Sequence, residues 1–502
     1  MRRLFFSLGL LIAMNHCQFS HHKIIIHIDL KGAPPRPSYF KQLLTTISDV
    51  GADGVLIEWE DMFPYEGALG EIKNGYSYTH DEALDILRHA ESLKLSVIPL
   101  VQTIGHLEWI LKIKNFVGFR EHPDYPLVAC IGDDKVVELI LDSLNQVMKL
   151  HSEVGMPYVH IGADEAYIMG ECPADLRILP NYANNKKRLV FDYVKKVAKN
   201  ITLQYPQTKV LIWHDEFKNV NDTLVKQYEL DRLVTPVVWY YQPDLATKLP
   251  KYKWKQLVRS FSSVWGASAF KGGNGPNRYW NYVEHYMKNN KAWYQQALEH
   301  SDLIKFQGFI ITGWQRFHHF APLCELFPVS MASLAINVKL IKHFTLSEDD
   351  LSGILHALKC PNGTTISHLK RGQDQCRFSG HKVRNAIRDF MLIKQQHDNA
   401  MIFEEAEYLQ PYQMQMNFSC SYGIRNFEIM YKKYLQRLDE MIDWLRSSLQ
   451  ELFYEDVYFE FMVDYIEPFY SELESKLRSV RAINSRTVYP PRPWFPSEGT
   501  LG

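Results

Sequence analysis

Short apolar runs recur along the first two thirds of the chain, at residues 24–30, 54–59, 96–101, 158–163, 210–213, 235–239, 262–265 and 308–312. Each is rich in Ile, Val, Leu or small residues, the pattern of a strand buried on both faces. Between them, segments such as 81–93, 135–150 and 185–203 place apolar residues at helical spacing. Eight strands alternating with helices predict an α/β fold, a (β/α)8 TIM barrel over residues 23–345. A doubly wound sheet would want a Gly-rich phosphate turn after its first strand. Here that strand runs into Asp29-Leu-Lys-Gly-Ala-Pro-Pro35, with no G-x-G-x-x-G. Past residue 345 the strand signals stop. Long helical patterns at 382–399, 424–450 and 459–482 predict a mainly α-helical C-terminal region over 346–502.

The first 20 residues stand apart from this pattern. Arg2 and Arg3 precede an apolar stretch from Leu4 to Met14, too short to span a bilayer comfortably but suited to the core of a secretory signal peptide. Residues 1–20 are read as that signal, with an uncleaved N-terminal anchor as the alternative, and no other membrane partner is expected. Four sequons, at Asn200, Asn221, Asn362 and Asn417, agree with N-glycosylation in the secretory pathway, in the Golgi, the lysosome or outside the cell. Such a compartment permits disulfides. Cys360 and Cys376 flank a polar loop that carries a sequon, and are expected to pair. The connectivity of Cys130, Cys172, Cys324 and Cys420 is open. No Cys-x-x-Cys or His-rich cluster suggests a metal, and no cofactor is expected. A net charge of −1 gives no electrostatic case for nucleic acid as a partner. With 11 Trp and 28 Tyr the chain has ample aromatic surface for stacking on sugar rings, though core packing uses the same residues. A homodimer is left open.

Chemistry concentrates where the strands end, which in a barrel is the catalytic face. The first ends near Asp29 and Lys31, the second in Glu58-Trp-Glu-Asp61, the third in Gln102-Thr-Ile-Gly-His106 and the fourth in Asp164-Glu165. The remaining four end in Trp213-His-Asp-Glu216, Trp239-Tyr-Tyr241, Trp265-Gly-Ala-Ser268 and Thr312-Gly-Trp-Gln-Arg316. An Asp-Glu pair after a strand is by itself more often a helix cap. A mouth lined with carboxylates and Trp points instead to a sugar pocket and to glycoside hydrolysis. The usual scheme needs carboxyl groups on opposite sides of the scissile bond. The seventh strand, which often supplies the second one, ends here without an acid. The substrate's own 2-acetamido group can then be the nucleophile, with Asp164 orienting it and Glu165 protonating the leaving oxygen. Glu165 should therefore have a raised pKa in an apolar, Trp-lined site while Asp164 stays charged. Tyr241 or Tyr240 is placed to bind the acetamido oxygen, and His106 to tune the carboxylates.

The segment His160-Ile-Gly-Ala-Asp-Glu165 resembles the His-x-Gly-x-Asp-Glu signature of glycoside hydrolase family 20, the β-N-acetylhexosaminidases. Further segments resemble its hexosaminidase D-like branch. They begin at His27, Glu60, Gln102, Ala267 and Thr312, and they run in order across residues 24–330. The resemblance implies a barrel enzyme that removes terminal β-linked GlcNAc or GalNAc with retention. It implies Glu165 as proton donor and Asp164 as the acetamide-orienting residue. Trp239, Tyr241, Trp314 and Trp265 are expected in the sugar pocket, Asp215 on a sugar hydroxyl, and His106, Arg316 and Asp29 beside them. The resemblance also implies a cytosolic or nuclear enzyme, against which the signal and sequons argue. His318 stands where the family pattern suggests Asp. A catalytically silent sugar-binding protein is the rival reading, and it is weakened by the intact Asp164 and Glu165. A chitinase-type barrel would want an Asp-x-x-Asp-x-Asp-x-Glu run that the chain lacks.

Overall fold

A computed structural model of the chain describes residues 22–401, 404–484 and 486–491. The N-terminal segment read as a signal lies outside them, as does the end of the C-terminal tail. The barrel strands are β1 (Lys23–Asp29), β2 (Gly54–Glu58), β3 (Ser96–Leu100), β6 (Tyr158–His160), β7 (Lys209–Trp213), β8 (Val234–Trp239), β9 (Ser263–Lys271) and β10 (Lys305–Gly313). They close in the order β1-β10-β9-β8-β7-β6-β3-β2, every pair parallel. The (β/α)8 expectation is met. The remaining strands, β4 (Arg120–His122) and β5 (Tyr125–Ala129), form an antiparallel hairpin in the loop that follows β3.

The barrel is a packed core. Ile25, Leu56, Ile98, Tyr158, Leu211, Val237, Trp265 and Ile310 fill its interior from successive strands, as inward-facing side chains must when a sheet closes on itself. The crossover helices lay one apolar stripe on the strands. Helix Asp134–Ser152 buries Val136, Ile140, Leu144 and Val147, one turn apart, and begins with the Asp133 side chain accepting from the Lys135 N–H. Helix His80–Ser92 starts in a capping box between Thr79 and Glu82.

Two strands differ in length from their apolar runs. β9 continues to Lys271, so Trp265 lies deep in the barrel and not at its mouth. β6 stops at His160 because Gly162 and Ala163 take positive φ of 62° and 63°. The segment that carries Asp164 and Glu165 is therefore a turn and not the end of a strand.

The described residues divide into two compact units. One runs to His381 and takes in Leu452–Tyr454, so the helices Glu348–Ala357 and Ile366–Arg371 belong with the barrel rather than with the helical region expected from residue 346. The other comprises Lys382–Glu451 and Glu455 onward. Its long helix Ser421–Gln450 buries Ile424, Phe427, Tyr431, Leu438 and Leu445. Glu405 gathers the Tyr431 hydroxyl at 2.6 Å, the Lys476 ammonium at 2.8 Å and His397 at 3.4 Å. Among the described residues no helix is long and apolar enough to cross a membrane.

Trp265 has no exposed surface and packs edge-on against Tyr158 at 5.5 Å between ring centres. Trp265→Ala is expected to cost about 3–5 kcal/mol through the cavity it opens, read from the urea midpoint. Wild-type stability with impaired sugar binding would instead return this ring to the pocket wall.

Candidate active site

The turn after β6 is held by side chains from two neighbouring strand ends. His160 Nδ1 accepts from the Gly162 N–H at 3.0 Å, Gln102 Oε1 accepts from the Ala163 N–H at 3.2 Å, and the Thr103 hydroxyl donates to the Ile161 carbonyl at 2.7 Å. The Trp213 N–H donates to the Gly162 carbonyl. A Cβ on Gly162 would strike the Gln102 side chain, and one on Gly105 would strike the Asp164 carbonyl oxygen. Both positions therefore need glycine, which lets the loops after β3 and β6 touch. His106, Ala163 and Glu165 carry positive φ of 53°, 63° and 52°. Non-glycine residues held there mark a strained backbone that the surrounding hydrogen bonds over-determine.

The outcome is a small pocket of about 140 Å³ lined by Lys31, His106, Asp164, Glu165, Trp239, Tyr241, Gly272, Trp314 and Phe317. His106 Nε2 sits 3.2 Å from Glu165 and 3.6 Å from Asp164. Burial alone would lower the pKa of His106, but the Asp164 charge and the hydrogen bond to Glu165 outweigh it and raise it to about 10. The imidazolium in turn holds the Glu165 carboxyl below its ordinary value. Asp164 is buried, its Oδ1 has no hydrogen-bond partner, and burial raises its pKa to about 7 despite His106. This inverts the order expected from sequence. Burial favours the neutral form of Asp164, and the hydrogen bond from His106 favours the charged form of Glu165.

The aromatic walls come from two strand ends. Trp239 and Tyr241 stack at 5.3 Å, and Tyr241 meets Trp314 edge-on at 6.4 Å. Trp239 is fixed by its indole N–H, which donates to Asp215 Oδ2 at 2.7 Å. Lys218 takes the other Asp215 oxygen at 2.8 Å. Asp215 thus stands behind the wall. Tyr240 points away and donates to Asp244, leaving Tyr241 as the pocket hydroxyl. Trp314 is positioned from below by Lys271, whose ammonium donates to the Trp314 carbonyl at 2.8 Å. Burial lowers the pKa of Lys271 to about 8.

Trp265, Arg316 and Asp29, expected at the pocket, lie elsewhere, as do two other strand-end tryptophans. Trp265 is in the barrel interior, Trp213 is buried beneath Trp314, and Trp59 is buried and donates to His151. Arg316 spans the backbone of Gly32 and donates to the Ala321 carbonyl. Asp29 is fully buried. It accepts from the Lys31 and Gln315 backbone N–H groups and pairs with the Lys31 ammonium at 3.3 Å. His318 is exposed at the rim, 4.0 Å from Glu108. The residue that strand-end reading undervalued is Lys31, which lines the pocket and lies 5.5 Å from the Trp314 ring centre. Its signal was visible: a lysine two residues past the first strand, where acids gather. Gly272 and Phe317 were also missed as lining residues.

Residues 58–293 match the family model for the glycosyl hydrolase family 20 catalytic domain. The chain is 30% identical over 476 residues to a Homo sapiens protein named hexosaminidase D, spanning 93% of this chain and 96% of that protein. It is 36% identical over 331 residues to a Bos taurus hexosaminidase D, spanning 65% and 93% of the two chains. A crystal structure of a β-N-acetylhexosaminidase from Bacteroides fragilis NCTC 9343 overlays with a TM-score of 0.48 at 13% identity, over 67% of this chain and 70% of that one. With a closed eight-strand barrel and relatives matched over nearly their whole length, the chain belongs to glycosyl hydrolase family 20 and is a glycoside hydrolase.

Proposed function

We propose that the chain is a retaining exo-β-N-acetylhexosaminidase that removes terminal β-linked GlcNAc or GalNAc from glycoconjugates by substrate-assisted catalysis. One observation carries the reading: among the described residues, the carboxylates lining the pocket are the adjacent Asp164 and Glu165. Neighbouring residues of one turn do not flank a glycosidic bond, so a nucleophile from the protein is not at hand on the opposite face. The 2-acetamido oxygen of the substrate fills that role. The names of the curated relatives point the same way.

In this reading the sugar lies between Trp239 and Trp314, and the Tyr241 hydroxyl donates to the acetamido oxygen. Asp164 accepts the acetamido N–H. That contact favours the charged form of Asp164, so the proton it holds in the empty pocket passes to Glu165. Glu165 gives it to the departing oxygen as the acetamido oxygen attacks C1 and the C1–O bond breaks. The positive oxazolinium ring is stabilised by the Asp164 carboxylate. Glu165, again ionised and held by His106, takes a proton from water, which opens the ring at C1 with net retention. Asp215, Asp29 and Lys31 act by holding the walls. We also propose N-glycosylation in the secretory pathway. Asn221, Asn362 and Asn417 are exposed, and bonded cysteine pairs join Cys130 to Cys172 and Cys360 to Cys376.

Asp164→Asn should lower kcat on aryl β-GlcNAc about 10²- to 10³-fold. Glu165→Gln should cost about 10²- to 10⁴-fold on natural glycans and less on activated aryl leaving groups. Wild-type rates in both would end the assignment. The pH dependence of kcat/KM follows the pair. One shared proton is needed, Asp164 binds it with a pKa of about 7, and so activity falls as pH rises through about 7. On the acid side activity persists until Glu165, whose pKa is lowered, also protonates. In Asp164→Asn the single remaining carboxyl is the lowered one, so the alkaline limb moves to lower pH; an unmoved limb contradicts the assignment. Finally, removal of N-glycans from protein secreted by cultured cells should increase its mobility on a denaturing gel. No change of mobility, or no secretion, refutes the proposed route.

A further inference from the structure

Away from the pocket, four potential ligand side chains converge in the buried interior: Glu121 on β4, Cys130 just past β5, and Cys172 and Asp175 at the start of helix Pro173–Ile178. One atom from each lies within 4.8 Å of the other three. The sulfurs are joined as a disulfide. Each carboxylate spends one oxygen on the backbone: Glu121 Oε1 accepts from the Glu171 N–H at 2.5 Å, and Asp175 Oδ1 from the Gly132 N–H at 2.6 Å. The other two oxygens, Glu121 Oε2 and Asp175 Oδ2, are buried and meet no N–H or hydroxyl donor; the two carboxyl groups instead hydrogen-bond to each other through a shared proton, and burial raises the Glu121 pKa to about 7. Two buried acids that stay together only by sharing a proton, beside two sulfurs, form a set of four donor groups in which a cation can take the proton's place.

We propose that this cluster is a two-state site: a disulfide when oxidised, and a four-ligand Zn²⁺-class site when reduced. Two thiolates and two carboxylates suit a borderline divalent ion in tetrahedral geometry. With Zn–S bonds of about 2.3 Å, tetrahedral ligands stand about 3.7 Å apart. The carboxylates therefore need only small shifts, and the sulfurs need only part once their bond is broken. A dithiol breaks it by supplying two electrons and two protons, and leaves as its own disulfide. The ion then takes the place of the two thiol protons, which go to solvent.

Both states would tie the same loops. Ala129 pairs with Ile104, two residues before His106, and Cys172 lies seven residues past Glu165. The site thus bridges the loop that bears His106 and the loop that bears Glu165, and either a disulfide or an ion keeps them joined. The binding claim stands on the four residues alone, whatever the hydrolase acts on.

The test is to reduce the full chain with dithiothreitol, remove the reductant under anaerobic conditions, and titrate with Cd²⁺ while following thiolate-to-metal absorption. The expected result is one equivalent bound with two-thiolate intensity, none in the oxidised protein, and no loss in a Cys360→Ser/Cys376→Ser background. Glu121→Gln and Asp175→Asn, both near-isosteric, should each weaken binding at least about 10-fold. A reduced chain that takes up no Cd²⁺ overturns the proposal. So does uptake that persists in Cys130→Ser, or that is unchanged in the two carboxylate variants.

Discussion

The Lys31 ammonium is the contact on which the barrel mouth depends. It has almost no exposure and pairs with Asp29 at 3.3 Å, Glu58 at 3.2 Å and Glu60 at 3.1 Å. Burial by itself would lower its pKa, but three carboxylates outweigh that and raise it well above the ordinary value. Without this cation, acids from the ends of β1 and β2 would face one another in a dry space, and some would have to take up protons. With it they become a frame. Glu58, under burial that would raise its pKa, is held down to about 2 by Lys31 and His27. Asp29 passes the order on to β10 by accepting the Gln315 N–H at 2.7 Å. Trp314 is the next residue back, so the seam where the barrel closes is also the base of an aromatic wall.

The same economy separates two carboxyl groups that adjoin in sequence. Asp164 faces the buried side of the turn, and Glu165 faces His106. Burial raises the pKa of Asp164, while the imidazolium of the left-handed His106 lowers that of Glu165. Two acids so closely linked titrate as a pair rather than as separate groups.

Aromatic residues at the strand ends divide into two groups by depth. Trp59, Trp213 and Trp265 are buried core, while Trp239, Tyr241 and Trp314 line the pocket. The pocket group is held by polar contacts to its own edges, as the Asp215 bond to Trp239 shows. The buried group is held by packing, with one added hydrogen bond from the Trp59 indole to His151. The rim is more individual: His318 stands exposed near the buried Glu108, whose pKa burial raises, and Arg316 is used to cover the Gly32 backbone.

Much of this was legible in the residues. The eight apolar runs and their helical spacers are local patterns, and local patterns of that strength dictate a parallel barrel. The Asp164-Glu165 pair, His106, Trp239, Tyr241 and Trp314 could be chosen because a barrel gathers strand ends on one face. Cys360 and Cys376, close along the chain, could be paired by proximity. Depth, direction and distance through space could not be read. The extension of β9 to Lys271, which sinks Trp265, depends on its pairing with β10. The resting place of the proton depends on where His106 lies relative to two adjacent acids. The meeting of Cys130 with Cys172, 42 residues away, and of both with Glu121 and Asp175, depends on two loops packing together. Periodicity records which residues prefer to be buried or paired. Only the folded chain decides against what.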